Sequence, residues 1–227
     1  SLSGLILAII FTHRTWFSLI IIAGSLIYMA IIVKRVNIGW SWRKVLKLGA
    51  FILPFGFIEI SSTFFLYLVL VLFVLALSFD INRFFIKKLN NWYIAKEKFS
   101  KSKEVRRFSG YTLFLFSTLI LFLFFPKPII LIALNLFIIS DLIGPIAGQL
   151  FIKKEIANGK TWGGSIGIFF ACIIAGFFMK VLPPFSVSWS IILLGVFSTI
   201  ILDQLSFVLD DNLLVPLGTA IILSTFI

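Results

Sequence analysis

The sequence contains very little sulfur and imidazole, and each shortage excludes a class of chemistry. One cysteine, Cys172, lies in an apolar run and has no second thiol to pair with, which excludes a disulfide framework and a cysteine-ligated zinc site. The single histidine, His13, falls on the outer side of the topology predicted below, so we do not expect it to take part in catalysis. The first apolar run lacks a small-residue cleavage site, and we expect no removable targeting segment.

Charged side chains are also scarce, at 13% of the chain, while apolar residues make up 60% and aromatic residues 17%. The mean hydropathy of +1.14 lies far outside the range of soluble globular proteins and is typical of an integral membrane protein. The net charge of +11 is explained by basic cytoplasmic loops, so no nucleic-acid partner is expected.

Apolar windows that are long enough, or nearly so, to cross a hydrocarbon layer of ~30 Å predict seven or eight transmembrane helices. Only helices and closed barrels satisfy the backbone in lipid, and these windows have helical length. We therefore predict an all-α, polytopic membrane helical bundle that forms one domain over residues 1–227. The windows are 16–33, 45–60, 63–79, 111–125, 129–152, 162–182, 187–202 and 213–227.

Lysine and arginine cluster in three segments, 34–47, 83–107 and 153–160. Eight spans with an outside N-terminus place all three clusters, and the turn at 203–212, on the cytoplasmic side, as the positive-inside rule requires. The longest polar segment, 80–109, is expected to be a basic cytoplasmic loop.

An aromatic pair, Trp92 and Tyr93, stands in the middle of this loop. Aromatic side chains among basic ones are typical of an amphipathic helix at the membrane interface.

Asp141 is the most informative residue, because it lies inside the almost uncharged segment 129–152. A carboxylate at membrane depth costs several kcal/mol unless it faces a cavity, a cation or a partner, so it indicates a functional site. A structural hydrogen bond is the alternative explanation.

Polar residues at the predicted cytoplasmic ends of the spans suggest a site for a metal-bound polyphosphate. Carboxylates are ligands for Mg²⁺, Lys and Arg neutralise phosphate charge, and glycines at a helix start let phosphate approach backbone N–H groups. The alternatives are topology signals for the basic residues, helix packing for the glycines and a helix cap for the Asp-Asn pair. Besides Asp141, the candidates are Arg43, Lys47, Arg106, Arg107, Lys160, Thr161, Gly163, Gly164, Ser165, Asp203, Asp211 and Asn212.

Four stretches in order resemble the CTP-dependent lipid kinases that act on dolichol, phytol, farnesol and related polyprenols. The resemblance covers about residues 42–217 as a kinase-like core and leaves residues 1–40 as an extra N-terminal span. The final stretch, Asp-Asn-Leu-Leu-Val-Pro-Leu, is the closest match to the family pattern. The stretches are 43–48, 80–83 with 104–110, 140–148 with 159–165, and 211–217.

Three positions depart from the family pattern. Lys47 stands where the family has histidine, Ser140 where it has glycine, and Gln204 where it has an acid, with Asp203 beside it. If that histidine or that acid is essential, activity is lost or redirected.

The resemblance implies transfer of the γ-phosphoryl group of CTP, or of another nucleoside triphosphate, to an isoprenoid alcohol at the cytoplasmic face. Asp141, with Asp203 or Asp211, would hold Mg²⁺. Lys160 and the backbone of residues 161–165 would bind the β and γ phosphates. The other candidates have supporting roles: charge neutralisation by Arg43, Lys47, Arg106 and Arg107, and orientation of metal or nucleotide by Asn212.

Other functions stay open at this point. The motifs around Asp141 and Lys160 also resemble CTP-dependent lipid cytidylyltransferases, although the C-terminal Asp-Asn-x-x-x-Pro-Leu favours the kinases. A transporter for an anionic lipid would need a polar path to the outer face, and the departures at Lys47 and Gln204 motivate a non-catalytic membrane scaffold. A homo-oligomer is also left open.

Overall fold

The computed structural model describes residues 62–95, 107–157, 159–181, 187–206 and 209–226. Within these ranges the chain forms seven helices and one short two-stranded hairpin. In chain order the elements are α1 (Ser62–Phe85), α2 (Lys87–Ala95), α3 (Gly110–Phe124), α4 (Lys127–Leu150), β1 (Glu155–Ala157), β2 (Lys160–Thr161), α5 (Trp162–Val181), α6 (Trp189–Leu205) and α7 (Asp211–Ser224).

The prediction of an all-α protein with membrane character is confirmed for the described residues. Three helices, α1, α4 and α5, are long and apolar enough to cross a membrane, whereas α3, α6 and α7 are shorter apolar helices. The predicted count of seven or eight transmembrane helices is therefore matched only in part. The predicted spans at 16–33 and 45–60 lie outside the described residues.

The boundary between α1 and the polar segment after it differs from the prediction. The sequence predicts that the span ends at residue 79, but α1 continues through Asp80 and Arg83 to Phe85. The helix continues because both charged side chains are fully buried and bonded to each other. Residues 80–109 are therefore not a loop over their whole length.

The amphipathic helix predicted around Trp92 and Tyr93 is present as α2. Trp92 is exposed, while Tyr93 is buried against the end of α1, where its ring contacts Phe79. The two aromatic side chains therefore face different surroundings, as expected of an amphipathic helix.

The core is centred on α4, which contacts α3, α5, α6 and α7. Of its apolar window, 72% is buried, compared with 17% for α1. A central helix has apolar neighbours on all sides, whereas α1 presents apolar side chains outward, as expected of a helix that faces lipid. The arrangement brings the end of α4, the start of α5, the end of α6 and the start of α7 to one end of the bundle.

Close packing between α4 and α5 depends on small residues. A Cβ atom added at Gly167 would lie 2.2 Å from the Cβ of Ala147, and one added at Gly144 would lie 3.0 Å from the Cδ1 of Ile168. Such glycines let two helix backbones approach closely, which is the usual basis of helix association in membranes.

We predict that Gly167→Ala destabilises the protein by about 1–3 kcal/mol, because the added methyl group overlaps Ala147. Adding Ala147→Gly to the same chain removes the overlap, so the double variant regains most of the lost stability. The midpoint of thermal unfolding in detergent measures both effects. An unchanged midpoint for Gly167→Ala would show that the two helices do not pack this closely.

Candidate functional site

A hairpin between α4 and α5 carries the predicted lysine. Strand β1 pairs antiparallel with β2, and Gly159 in the turn has a φ of 78°, in the left-handed region that favours glycine. The Gly159 N–H donates to Oε1 of Glu155 at 2.5 Å, and the Trp162 N–H donates to the carbonyl oxygen of Lys154 at 3.1 Å. These bonds fix the hairpin against the first residue of α5 and set the position of Lys160.

Lys160 contacts two carboxylates from other helices. Its Nζ lies 2.5 Å from Oδ1 of Asp203, near the end of α6, and 3.8 Å from Oδ2 of Asp211, in the first turn of α7. The side chains are only 28%, 10% and 13% exposed, respectively, so water screens these charges less than on an open surface. We refer to Lys160, Asp203 and Asp211 as the charge cluster.

Asp141 on α4 belongs to the same region, because its charge and that of Asp211 act on the carboxylate of Asp203. Pro145 follows Asp141 by four residues on the same helix. Because proline has no N–H, it cannot donate a hydrogen bond to the Asp141 carbonyl oxygen. Of the three carboxylates predicted as metal ligands, Asp203 and Asp211 thus meet at Lys160, and Asp141 is near enough for its charge to act on Asp203.

The first turn of α7 is held by its own side chains. Asp210 caps the helix, and its Oδ1 accepts from the backbone N–H of Asn212 at 3.0 Å and from Nδ2 of the same residue at 2.5 Å. The same Nδ2 lies 2.9 Å from Oδ1 of Asp211. Asn212 is buried, and its side-chain amide holds the neighbouring carboxylates of Asp210 and Asp211.

Pro216 in α7 leaves a carbonyl oxygen of that helix open to a contact from α3. Pro216 cannot donate to the carbonyl oxygen of Asn212, which an ordinary helix would bond from that position. The hydroxyl of Ser117 on α3 lies 2.9 Å from this oxygen and 2.8 Å from the carbonyl oxygen of Phe114, so its one proton is shared between the two acceptors. The Asp-Asn-x-x-x-Pro stretch therefore creates a bond between two helices.

Gly163 and Gly164, which were predicted to contact phosphate, pack against other parts of the chain in this structure. The Gly163 N–H donates to the carbonyl oxygen of Ile152 at 3.0 Å, and the Gly164 N–H donates to Oγ1 of Thr161 at 3.1 Å. A Cβ added at Gly163 would lie 2.6 Å from the backbone nitrogen of Ile152, and one at Gly164 would lie 3.0 Å from the carbonyl oxygen of Gly144. The helix-packing alternative accounts for both glycines.

Gln204, one of the departures from the family pattern, lies beside the charge cluster. Its Nε2 donates to Oγ of Ser165 at 2.7 Å, while its Oε1 is buried and has no hydrogen-bond partner within the part of the chain that the structure describes. A buried carbonyl without a partner costs about 1–3 kcal/mol, so this acceptor is available to a ligand or a water.

Of the remaining predicted basic residues, the structure describes Arg107 alone, and Arg107 does not contact the charge cluster. Arg107 is exposed, and its carbonyl oxygen accepts from Nη2 of Arg83. Arg43, Lys47 and Arg106 lie outside the described residues. Gln204 and Asp210 belong to the polar turn at 203–212 that was predicted to join the site, whereas Ser117 was not predicted to take part.

The oxygen donors of this region suit Mg²⁺ in chemistry. Among the described residues, no three His, Cys, Asp or Glu side chains are already placed to hold a metal ion. The Lys160 ammonium group now provides the positive charge between Asp203 and Asp211. A divalent ion would fit these residues only if Lys160 moved away from them.

Comparison of the chain with protein-family models, with curated proteins and with solved structures gives no match. The resemblance to polyprenol kinases therefore depends on the four sequence stretches alone.

We predict that Lys160→Met and Asp203→Asn each lower the free energy of unfolding by about 1.5–3 kcal/mol, because each leaves a charged partner without its bond. The double variant should be less destabilised than the sum of the two, since it removes both members of the closest ion pair together and only Asp211 then loses an oppositely charged neighbour. Lys153→Met, at an exposed position before the hairpin, is the control and should change stability by less than about 0.5 kcal/mol. Strictly additive effects in chemical unfolding would contradict the bond between Lys160 and Asp203.

Proposed function

We propose that this chain is a multi-pass membrane phosphotransferase with its site at the cytoplasmic side. The reaction moves the γ-phosphoryl group of a nucleoside triphosphate, by resemblance CTP, onto the hydroxyl of an isoprenoid-type lipid alcohol. The observation that carries the proposal is the charge cluster. Lys160 and Asp211 come from separate stretches that resemble the kinases, Asp203 stands beside the departure at Gln204, and the Lys160 ammonium group lies 2.5 Å and 3.8 Å from the carboxylates of Asp203 and Asp211.

Phosphoryl transfer needs charge neutralisation and in-line positioning more than a covalent nucleophile. Lys160 stands on a short hairpin, so its ammonium group can exchange carboxylate partners for phosphate oxygens with little change in the bundle. The carboxylates it leaves, with that of Asp141, would then hold Mg²⁺, which supplies further neutralisation of the triphosphate. Gln204 offers its buried carbonyl oxygen to a donor on the ligand.

The surroundings of the charge cluster suit an amphipathic acceptor. Trp162 and Ile166 at the start of α5, and Leu205 and Leu209 on either side of the α6–α7 connection, are exposed apolar side chains. A lipid alcohol that lies in the bilayer with its hydroxyl at the helix ends would meet these side chains with its chain and the charge cluster with its polar group.

The basic residues support the cytoplasmic orientation. Lys153 and Lys154 follow α4 directly, at the same end of the bundle as Lys160. Lysine at the ends of spans is enriched on the cytoplasmic side. Substrate triphosphate is a cytoplasmic compound, so the orientation and the proposed reaction agree.

The direct test uses purified protein in detergent or nanodiscs with Mg²⁺, a panel of polyprenols and CTP labelled at either the α or the γ phosphate. Transfer of the γ label to lipid is the expected result. Transfer of the α label would identify a cytidylyltransferase and overturn the kinase proposal. Nucleotide binding without turnover would favour a non-catalytic scaffold, and lipid movement across vesicles without turnover would favour a transporter.

We predict that Asp141→Asn lowers the rate of γ-phosphoryl transfer by about 100-fold or more, because removing a charge that acts on a developing transition state has this order of effect. The change is nearly isosteric, so the unfolding midpoint should stay close to that of the parent chain. Gln149→Ala, at an exposed position on the same helix, is the matched control and should leave the rate unchanged. Full activity in Asp141→Asn would remove this residue from the site.

A further inference from the structure

Two charged side chains near the end of α1 are fully buried, although most side chains of α1 are exposed or partly exposed. Asp80 and Arg83 are both 0% exposed, and Nε of Arg83 donates to Oδ1 of Asp80 at 2.7 Å. Removing two charges from water is costly, and the pair persists only when further hydrogen bonds satisfy the remaining polar atoms. We call Asp80 and Arg83 the buried clamp.

The second oxygen of Asp80 bonds the start of α3. Oδ2 accepts from the backbone N–H of Ser109 at 2.7 Å and from Oγ1 of Thr112 at 2.7 Å. Ser109 is the capping residue of α3, and its own hydroxyl accepts from the Thr112 N–H. A carboxylate at a helix N-terminus also interacts favourably with the helix dipole, so Asp80 fixes where α3 begins.

Arg83 completes the attachment. Its Nη2 donates to the carbonyl oxygen of Arg107, just before α3. Its guanidinium carbon lies 4.4 Å from the ring centroid of Tyr93 on α2 and 4.9 Å from that of Phe84. Contacts of a cation with aromatic rings at these distances are attractive. The buried clamp therefore joins α1, α2 and the residues that lead into α3.

From the clamp, α3 leads to the charge cluster. Ser117 follows Thr112 by fewer than two helical turns, and its hydroxyl lies 2.9 Å from the carbonyl oxygen of Asn212. The side-chain amide of Asn212 donates to Asp211, whose Oδ2 lies 3.8 Å from Nζ of Lys160. Hydrogen bonds at the two ends of this path, the backbone of α3 between them and the ion pair with Lys160 thus connect the end of α1 to the charge cluster.

We propose that Asp80 and Arg83 are positioning residues for the reaction: they fix α3, and α3 keeps the first turn of α7 in register with Lys160. The inference rests on the proposed function for its kinetic consequence, while its structural consequence is independent of any reaction. Neither residue touches the charge cluster directly, so they act through Ser117 and Asn212.

The test compares the parent chain with Asp80→Asn/Arg83→Gln, which removes both charges together and leaves no unpaired ion. Nitroxide labels at Ile156→Cys, in the hairpin, and Leu209→Cys, before α7, report the separation by electron paramagnetic resonance. Both sites are exposed, and the native Cys172 is buried and will not label. We expect the double variant to broaden the distribution of distances between the labels.

The kinetic readout is kcat for γ-phosphoryl transfer per folded protein, which should fall about tenfold or more, because small displacements of positioned groups have this order of effect. KM for CTP should rise by less than kcat falls. Arg83→Lys keeps the positive charge but loses the planar fork of donors. With Asp80 intact, this variant should therefore have a rate between those of the parent chain and the double variant. Asn82→Ala, an exposed change between the two clamp residues, is the control and should alter neither readout.

A distance distribution and a kcat like those of the parent chain would overturn the proposal, as would a loss of kcat with an unchanged distribution. A parent chain without turnover would refute the proposed function alone. In that case the distance measurement decides by itself: broadening supports the positioning role, and an unchanged distribution overturns it.

Discussion

The attraction between one ammonium group and two carboxylates is the interaction on which the candidate site depends. Lys160 bonds Asp203 at the end of α6 and lies close to Asp211 at the start of α7. At partly buried positions such charges attract one another more strongly than in open water, and they also cannot be left unpaired without a penalty. The bundle must therefore bring the hairpin and two helix ends to the same place.

Several unrelated features of the sequence serve this placement. Glycines on α4 and α5 allow the close approach that positions the hairpin, because a Cβ atom added at these positions would overlap side-chain or backbone atoms of the neighbouring segment. Pro145 and Pro216 each stand four residues after a candidate site residue and remove a helical donor to its carbonyl oxygen. At Asn212 the open carbonyl oxygen is contacted by the Ser117 hydroxyl of α3, which it shares with the carbonyl oxygen of Phe114, and this contact links the site to the rest of the bundle.

Much of the helical layout could be predicted from the sequence, because long apolar runs between polar segments determine helices in a membrane chain. The five predicted spans from 111 onward correspond to α3 through α7 within a few residues. The end of α1 could not be predicted, since Asp80 and Arg83 look like loop residues until their partners Ser109 and Thr112 are known, about thirty residues further along the chain. Tertiary bonds overrode local polarity there.

The candidate site was predictable to a similar extent. The sequence indicated that Lys160, Asp203 and Asp211 share a site. It could not decide whether a glycine contacts phosphate or packs against a helix, because that depends on the geometry of the fold. The sequence allowed both phosphate contact and helix packing for Gly163 and Gly164, and their N–H groups donate to protein acceptors in this structure. Gln204, read from the sequence as a departure from the family pattern, has a buried acceptor beside the charges that no short motif indicates.

The central claim is that the charge cluster receives a triphosphate and a divalent ion. An experimental structure of the protein with Mg²⁺ and a non-hydrolysable CTP analogue measures this most directly. The account predicts that Nζ of Lys160 leaves Asp203 and contacts the β or γ phosphate, with the metal ion on the freed carboxylates. A triphosphate bound elsewhere on the chain, with Lys160 still bonded to Asp203, would contradict it.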